Sequence, residues 1–242
     1  MIKYAYDLLG AVVLEEKKKG KLATWFENFW YHYKAQTLIA VGLIVTAAIC
    51  TTQIITNDKY DYYMLYAGPQ ILAVQDLTYI QRAFASVGTD QNGDGEVKIA
   101  LKDIVMLSPE ERAAAAEEKG AEFNAEFIQT EMNDYYQQIM AGDAAVMLLS
   151  PYMYEQAKAS KLFMPLSEIF GEIPESAYDE TGILLSKTVF GNSFNGVDDL
   201  PEDTILCIRR VTSFQNMKNS NQAEKGFAVN LDFFKSIVTY AG

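Results

Sequence analysis

The sequence predicts an α/β domain attached to one membrane-spanning helix near the N-terminus. Residues 35–57 form an apolar run without a single charged side chain. Beyond this run, short aliphatic and aromatic segments alternate with segments whose apolar residues recur at helical spacing. Because strands that are separated by helices form right-handed crossovers, we expect residues 58–242 to form a three-layer α/β domain with a mainly parallel sheet.

The apolar run at residues 35–57 is long enough to cross a bilayer. A hydrocarbon core requires about 20 apolar residues in helical form, because no water is present there to bond free backbone groups. The uniform apolarity argues against a helix buried in a soluble core. A cleaved signal peptide has a shorter apolar region and a small-residue cleavage motif, and none precedes Asp58. A lipoprotein signal has a small residue where Ile49 precedes Cys50. We therefore predict a retained single-pass anchor.

The flanking residues predict the orientation of this anchor. Lysines and aromatic rings precede it: Lys17, Lys18, Lys19, Lys21, Lys34, Trp25, Phe26, Phe29, Trp30, Tyr31 and Tyr33. Lysines are retained on the cytoplasmic side, and amphipathic rings lie at the level of the headgroups. We expect residues 1–34 to be cytoplasmic and interfacial, one long helix from about Leu22 to Ile55, and an extracytoplasmic domain at residues 58–242. Residues 1–14 are too short to span, and fit either an inner-leaflet helix or a short packed helix.

Charge divides the chain at the same place. Residues 1–57 contain six Lys and four acidic residues, whereas the remainder contains 14 basic and 28 acidic residues, a net charge of −14. Such a domain repels nucleic acid and anionic lipid, so the sequence predicts no nucleic-acid partner. The two cysteines, Cys50 and Cys207, lie on either side of the predicted membrane boundary and are not expected to form a disulfide. Cys207 fits a small buried side chain.

The elements of the domain follow from periodicity and from turn residues. A strand at residues 60–67 ends at Gly68-Pro69, a helix follows at residues 71–87, and a strand spans residues 96–107 after the turn DQNGDG. Ser108-Pro109 opens a helix, because the hydroxyl caps it and proline suits the first turn. The remaining predicted elements are a helix at 121–141, a buried parallel strand at 144–149, a helix opened by Ser150-Pro151, a strand at 204–211 and a closing helix at 231–240.

Residues 135–170 resemble the central segment of extracellular solute-binding proteins of the type II periplasmic-binding-protein class. In that family a helix ending in a glycine-acid turn leads to a strand, a short helix and a leucine-proline segment. Gly142-Asp143, the strand to Leu149 and residues 162–166 follow in that order. The opening strand, helix and turn also resemble membrane-anchored relatives in Gram-positive gut-type bacteria.

This resemblance implies a periplasmic-binding-protein-II-like lobe. Its ligand would lie at the carboxyl ends of the strands, in a cleft between two lobes. The chain beyond the anchor has room for about one lobe, and if the second lobe is missing, half of such a cleft is missing with it. The resemblance therefore supports the fold more directly than it supports transport of a solute.

The loops at the strand ends contain the candidate ligand-binding residues Gly68, Pro69, Ser150 and Tyr152. Gly68 permits a close approach to the backbone, and the helix N-terminus at Pro151 suits an anionic group. The same residues are also typical of a Gly-Pro chain reversal and of a serine helix cap.

The turn DQNGDG contains a candidate metal site. It places side-chain oxygens at Asp90, Asn92 and Asp94, with Gly95 at the sharp turn, which is the spacing of a calcium loop. Leu101 occupies the position at which an EF-hand has its bidentate glutamate. The segment therefore indicates either a Ca²⁺ site or an Asx-rich turn between a helix and a strand.

The sequence contains no catalytic motif that we recognise. G-x-S-x-G, H-E-x-x-H and a phosphate loop are absent, and the one histidine, His32, lies beside the predicted anchor. We therefore expect no enzyme and no cofactor apart from Ca²⁺. The main expectation is a membrane-anchored module that binds a small molecule or a peptide. The alternatives are a structural or assembly subunit of a membrane complex that has lost its ligand site, and a calcium-stabilised surface module.

Overall fold

The computed structural model describes residues 20–56, 59–119, 124–210 and 213–242. The chain divides into two compact units, Met1–Asp58 and Lys59–Gly242. The predicted short helix at residues 1–14 and the lysines at positions 17–19 lie outside the described residues.

The first unit contains one long helix, α1 (Lys21–Thr56). Its bounds confirm the predicted helix from about Leu22 to Ile55. Within it, Thr24–Thr52 is long and apolar enough to cross a membrane. The hydroxyls of Thr46 and Thr51 donate to the carbonyls four residues earlier, at 2.9 and 2.8 Å. These two hydroxyls of the apolar run are thereby bonded within the helix, as a bilayer interior requires.

The second unit is built around one five-stranded sheet. Its strands are β1 (Tyr62–Gly68), β2 (Ile99–Val105), β3 (Val146–Leu149), β4 (Gly182–Leu184) and β5 (Ile205–Ile208). In the spatial order β2-β1-β3-β5-β4, β1 pairs in parallel with β2 and β3, whereas β5 is antiparallel to β3 and β4.

The predicted α/β class is confirmed, but the sheet is mixed and not mainly parallel. Two of its four pairings are antiparallel. A parallel pair needs a long crossover, which is usually a helix. The chain between β4 and β5 forms two 3₁₀ turns, Leu185–Lys187 and Phe190–Asn192, and no α-helix. It therefore returns β5 beside β4 in the opposite direction.

Six helices follow in the described part of the second unit. They are α2 (Val74–Ala85), α3 (Pro109–Lys119), α4 (Ala125–Ala141), α5 (Pro151–Ala159), α6 (Leu166–Phe170) and α7 (Ser213–Val238). The predicted start of α7 was wrong. The sequence predicted a helix at residues 231–240, whereas α7 begins at Ser213, and its first half is polar. Neither α6 nor β4 was predicted, since each is too short to show a period.

Helices cover both faces of the sheet, so the second unit has three layers. Tyr62, Met64 and Tyr66 of β1 pack in a core with residues of α2 and of the last part of α7. Leu65 and Ala67, which point to the opposite face, pack in a second core with residues of α4 and α5. This alternation along β1 is the period of a strand that is buried on both faces.

The end of β5 shows how the sheet and α4 are joined. Arg209 is buried, and its Nη1 donates to the carbonyl of Ile139 at 2.7 Å. Its side chain therefore satisfies a carbonyl in the last turn of α4, where a cation is favoured by the helix dipole. Arg210 instead reaches the surface and pairs with Glu168 at 2.9 Å. Cys207 is fully buried, as its apolar surroundings in the sequence predicted.

Candidate functional site

The carboxyl ends of β1 and β3 form the topological switch point of the sheet. The chain passes from β1 to β2 on one side, and then returns to β3 on the other side. Ligands of open α/β sheets bind at such a point. The backbone N–H of Ser150 donates to the carbonyl of Ala67 at 2.9 Å, so Gly68 and Ser150 lie at neighbouring strand ends.

Gly68 is covered by a side chain of its own strand. A Cβ at this position would lie 2.6 Å from the hydroxyl oxygen of Tyr66, whose side chain is buried. Burial raises the pKa of Tyr66 to about 12, so the hydroxyl stays neutral. The space that the glycine provides is therefore filled by Tyr66 and is not open to a ligand.

Ser150 and Tyr152 have structural partners as well. The Ser150 hydroxyl oxygen accepts from the backbone N–H of Met153 at 3.5 Å, and Pro151 occupies the first turn of α5. This confirms the helix cap that the sequence indicated. Tyr152 is half-buried and packs against the core between the sheet, α4 and α5.

A groove of about 410 Å³ opens beside the switch point, between the ends of β1 and β2 and the helices α3 and α4. We call it the α3–α4 groove. It is lined by Pro69, Ile71, Val105, Leu107, Glu111, Ala114, Ala115, Glu118, Asn124, Phe127 and Ile128. Of the four candidate ligand-binding residues, only Pro69 lines it; Gly68, Ser150 and Tyr152 do not.

The walls of the α3–α4 groove are mainly apolar and partly open to solvent. Ile71 is 72% exposed and Phe127 is 43% exposed, although both are large apolar side chains. Ala114 and Ala115 of α3 give the groove its depth, because methyl side chains leave room above the strand ends. Sequence reasoning missed these two residues, since a run of four alanines shows no periodicity that distinguishes one face from another.

Two carboxylates are the only charged groups in the lining that the structure describes. Glu111 and Glu118 stand seven residues apart, hence on one side of α3. One oxygen of Glu111 accepts from the backbone N–H of Ser108 at 2.6 Å, and the Ser108 hydroxyl accepts from the N–H of Glu111 at 3.2 Å. This capping box fixes the start of α3 and the position of Glu111.

The DQNGDG turn directs its oxygens at its own backbone. The carboxylate of Asp90 accepts from the N–H groups of Gly93 and Gly95, at 2.6 and 2.8 Å. Asn92 accepts from the N–H of Asp94 at 2.9 Å. The N–H of Glu96 and the Lys98 ammonium lower the pKa of Asp94.

This geometry is that of an Asx-rich turn, which was the second interpretation of the segment. Within the described residues, no group of three or more His, Cys, Asp or Glu side chains is placed to hold a metal ion. Calcium binding by Asp90, Asn92 and Asp94 stays a prediction.

A second cavity, of about 340 Å³, lies beside the 3₁₀ turns. Two of its polar side chains, those of Ser186 and Asn192, donate to backbone carbonyls. The Asn192 amide donates to the carbonyls of Ser186 and Thr188 at 2.7 and 2.8 Å, and the Ser186 hydroxyl donates to the carbonyl of Glu202 at 2.6 Å. These bonds hold the turns together, and the α3–α4 groove is the better candidate for a ligand.

Comparison of the chain with models of known protein families, with curated proteins and with solved structures found no match. A function for this protein must therefore be argued from its long apolar helix, its sheet and the α3–α4 groove.

Proposed function

We propose that this protein is a membrane-anchored, non-catalytic module that binds a small ligand in the α3–α4 groove on the outer side of the cell membrane. The observation that carries this proposal is the groove itself. Its volume of about 410 Å³ is within the range of small-molecule sites, roughly 300–1,000 Å³. It also opens at the edge of the sheet formed by the carboxyl ends of the parallel strands, at β1 and β2 and next to the switch point between β1 and β3.

The resemblance to one lobe of a type II solute-binding protein supports the same function. Helix α4, the turn at Gly142, β3, α5 and the segment at Pro165 follow one another in the order that the resemblance implies. A single lobe contacts its ligand from one side only. We therefore expect weaker binding than in a closed two-lobe cleft, unless another chain covers the groove.

Filling the groove is expected to abolish ligand binding. In Ala114→Trp, the indole occupies the space between α3 and the strand ends, whereas Ala113→Trp places the same ring on an exposed position of α3 outside the lining. The measurement is thermal unfolding of the full chain in detergent micelles with pools of sugars, amino acids and short peptides. A ligand at 100 times its Kd stabilises the native state by about 2.7 kcal/mol.

The stabilisation should be lost in Ala114→Trp and retained in Ala113→Trp. If both variants keep it, the ligand binds elsewhere. If no pool stabilises the unsubstituted chain, the binding function is wrong.

The proposed orientation places the N-terminus in the cytoplasm. Its support is the excess of lysines before α1, because positive charges near a span are retained inside the cell. In bacterial cells with a permeabilised outer layer, added protease should cleave a C-terminal epitope of the unsubstituted chain. Replacing Lys17, Lys18 and Lys19 with glutamine should protect a substantial fraction of the epitope.

The matched control for this orientation test replaces Lys102, Lys161 and Lys187 with glutamine. It removes the same charge far from α1 in sequence, so cleavage should remain complete. An epitope that is protected in the unsubstituted chain contradicts the proposed orientation.

A subunit of a membrane complex is the second candidate function. It is favoured by two exposed apolar side chains four residues apart on α4, since Tyr136 is 54% exposed and Met140 is 83% exposed. The closed strand ends at Gly68 and Ser150 agree with a lost ligand site. The two tryptophan variants distinguish the functions, because an assembly subunit has no groove ligand to lose.

A further inference from the structure

We infer that the α3–α4 groove selects ligands that carry an ammonium group on an apolar body. This inference rests on the proposed function and adds the chemical class of the ligand. Two kinds of ligand carry an ammonium group on an apolar body: a free apolar amine, and a short apolar peptide with a free amino terminus.

The apolar half of the inference comes from the exposed walls. Ile71 and Phe127 present large apolar surfaces to water at the mouth of the groove, while Ile128 forms part of its buried side. Covering such surfaces with an apolar body is favourable, because it removes them from water. A purely polar ligand, such as a sugar or an inorganic ion, has no apolar part to cover these side chains and would not gain this free energy.

The charged half comes from Glu111 and Glu118. Neither forms an ion pair among the described residues, and no Lys or Arg lines the groove in that part of the chain. Arg112 follows Glu111 in sequence, but its Nε donates to the carbonyl of Leu107 at 2.9 Å and it does not line the groove. The groove therefore has a negative potential that attracts a cation.

The position of Glu118 strengthens this argument. It stands in the last turn of α3, where the helix dipole disfavours a negative charge. Glu117 stands in the same turn, and of the two acids only Glu118 lines the groove. A ligand ammonium at Glu118 would meet both the carboxylate and the negative end of α3. Glu111, by contrast, stands in the first turn, where the capping box accounts for it.

Two pairs of probes test the inference on the full chain in lipid nanodiscs, with heats of partition into empty nanodiscs subtracted. The first pair is 2-phenylethylamine and the neutral alcohol of the same shape, 2-phenylethanol. The second pair is Leu-Phe-amide and its N-acetyl derivative. Isothermal titration should give at least tenfold tighter binding for the charged member of one pair, which also identifies the source of the ammonium.

Glutamine variants assign this preference to the groove. Glu118→Gln should remove the preference for the charged probe, with a loss of at least tenfold. Glu117→Gln changes the net charge equally on an exposed neighbouring position outside the lining, and should leave binding unchanged. Glu111→Gln retains the capping box, because glutamine also accepts at that position, and should weaken binding without loss of helix.

The outcomes separate this inference from the proposed function. Equal binding of the charged and neutral probes in a groove that Ala114→Trp blocks would overturn the ammonium preference and leave the binding function in place. If a sugar from the pools binds in the groove and neither charged probe binds, the ammonium preference is also wrong and the binding function still stands. No binding by any probe or pool would overturn both. A charge preference that survives Glu118→Gln would also contradict the inference.

Discussion

Gly191→Ala is expected to destabilise the α/β domain by about 3 kcal/mol, because its added methyl group would overlap the carbonyl oxygen of Leu185. That oxygen belongs to the backbone of a 3₁₀ turn and already accepts from the Thr188 hydroxyl at 2.7 Å. The Thr188 hydroxyl in turn accepts from the N–H of Gly191 at 2.9 Å. No flexible side chain is available to yield, so the turn itself must move.

The matched control is Gly226→Ala, the same change in the interior of α7. Apart from its chain neighbours and the adjacent backbone of α7, nothing lies within 4 Å of the added methyl group at this position. Alanine loses less backbone entropy than glycine in a helix, so this variant should be more stable by roughly 0.5–1 kcal/mol. Chemical denaturation of the full chain in detergent measures both. Two variants with the same sign of effect would contradict the packing at Gly191.

Removing the carboxylate of Asp179 is expected to lower the free energy of unfolding by about 3 kcal/mol. The reason is that the buried hydroxyl of Tyr154 loses its charged hydrogen-bond acceptor. Asp179 accepts from the Tyr154 hydroxyl at 2.6 Å and from the N–H of Thr181 at 2.8 Å. Its other oxygen pairs with Lys158 at 2.6 Å. Tyr154 is fully buried and stacks on Phe163, so this network joins α5 to the turn before β4.

The same contacts predict a loss of stability in acid. Partial burial alone would raise the pKa of Asp179, but the Lys158 ammonium, the Tyr154 hydroxyl and the Thr181 N–H outweigh it and lower the pKa. A carboxyl whose pKa is lowered by folding stabilises the protein above its unfolded value of about 3.9. That contribution is lost as the pH falls through the lower folded pKa.

Denaturant midpoints between pH 7 and pH 3 measure this effect. Asp179→Asn should be less stable than the unsubstituted chain at pH 7, and the difference should shrink below about pH 4. Glu172→Gln, at an exposed acid of the same domain, should retain the full loss in acid. A difference between Asp179→Asn and the unsubstituted chain that is constant with pH would contradict the role of the ionised carboxylate.

Much of the fold could be predicted from local patterns. Helix α1, β1, α2, β2 and β3 lie close to their predicted positions. The spacing of apolar residues indicated β1, α2 and β2, whereas the length and uniform apolarity of their segments indicated α1 and β3. The direction of β5 was not predictable in this way. A fully buried strand such as Ile205–Ile208 has apolar residues on both faces and the same local pattern in either direction.

The candidate site was predictable only in its location. Of the four predicted ligand-binding residues, Pro69 lines the groove, and Gly68, Ser150 and Tyr152 lie outside its lining. Ala114, Ala115 and Glu118, which shape the groove, gave no signal, because alanines and acids on a helix are usually solvent-exposed. Their role depends on α4 and the strand ends lying opposite them.

By itself, the sequence determined the apolar helix α1, the α/β class and the caps at Ser108 and Ser150, because these follow from composition and from residues within a few positions of one another. Only the tertiary structure decided the mixed sheet, the α3–α4 groove and the Asp179 network. Each of these joins residues from distant parts of the chain, as Tyr154 and Asp179 illustrate. Such contacts depend on how the layers pack, and no local period in the sequence records that packing.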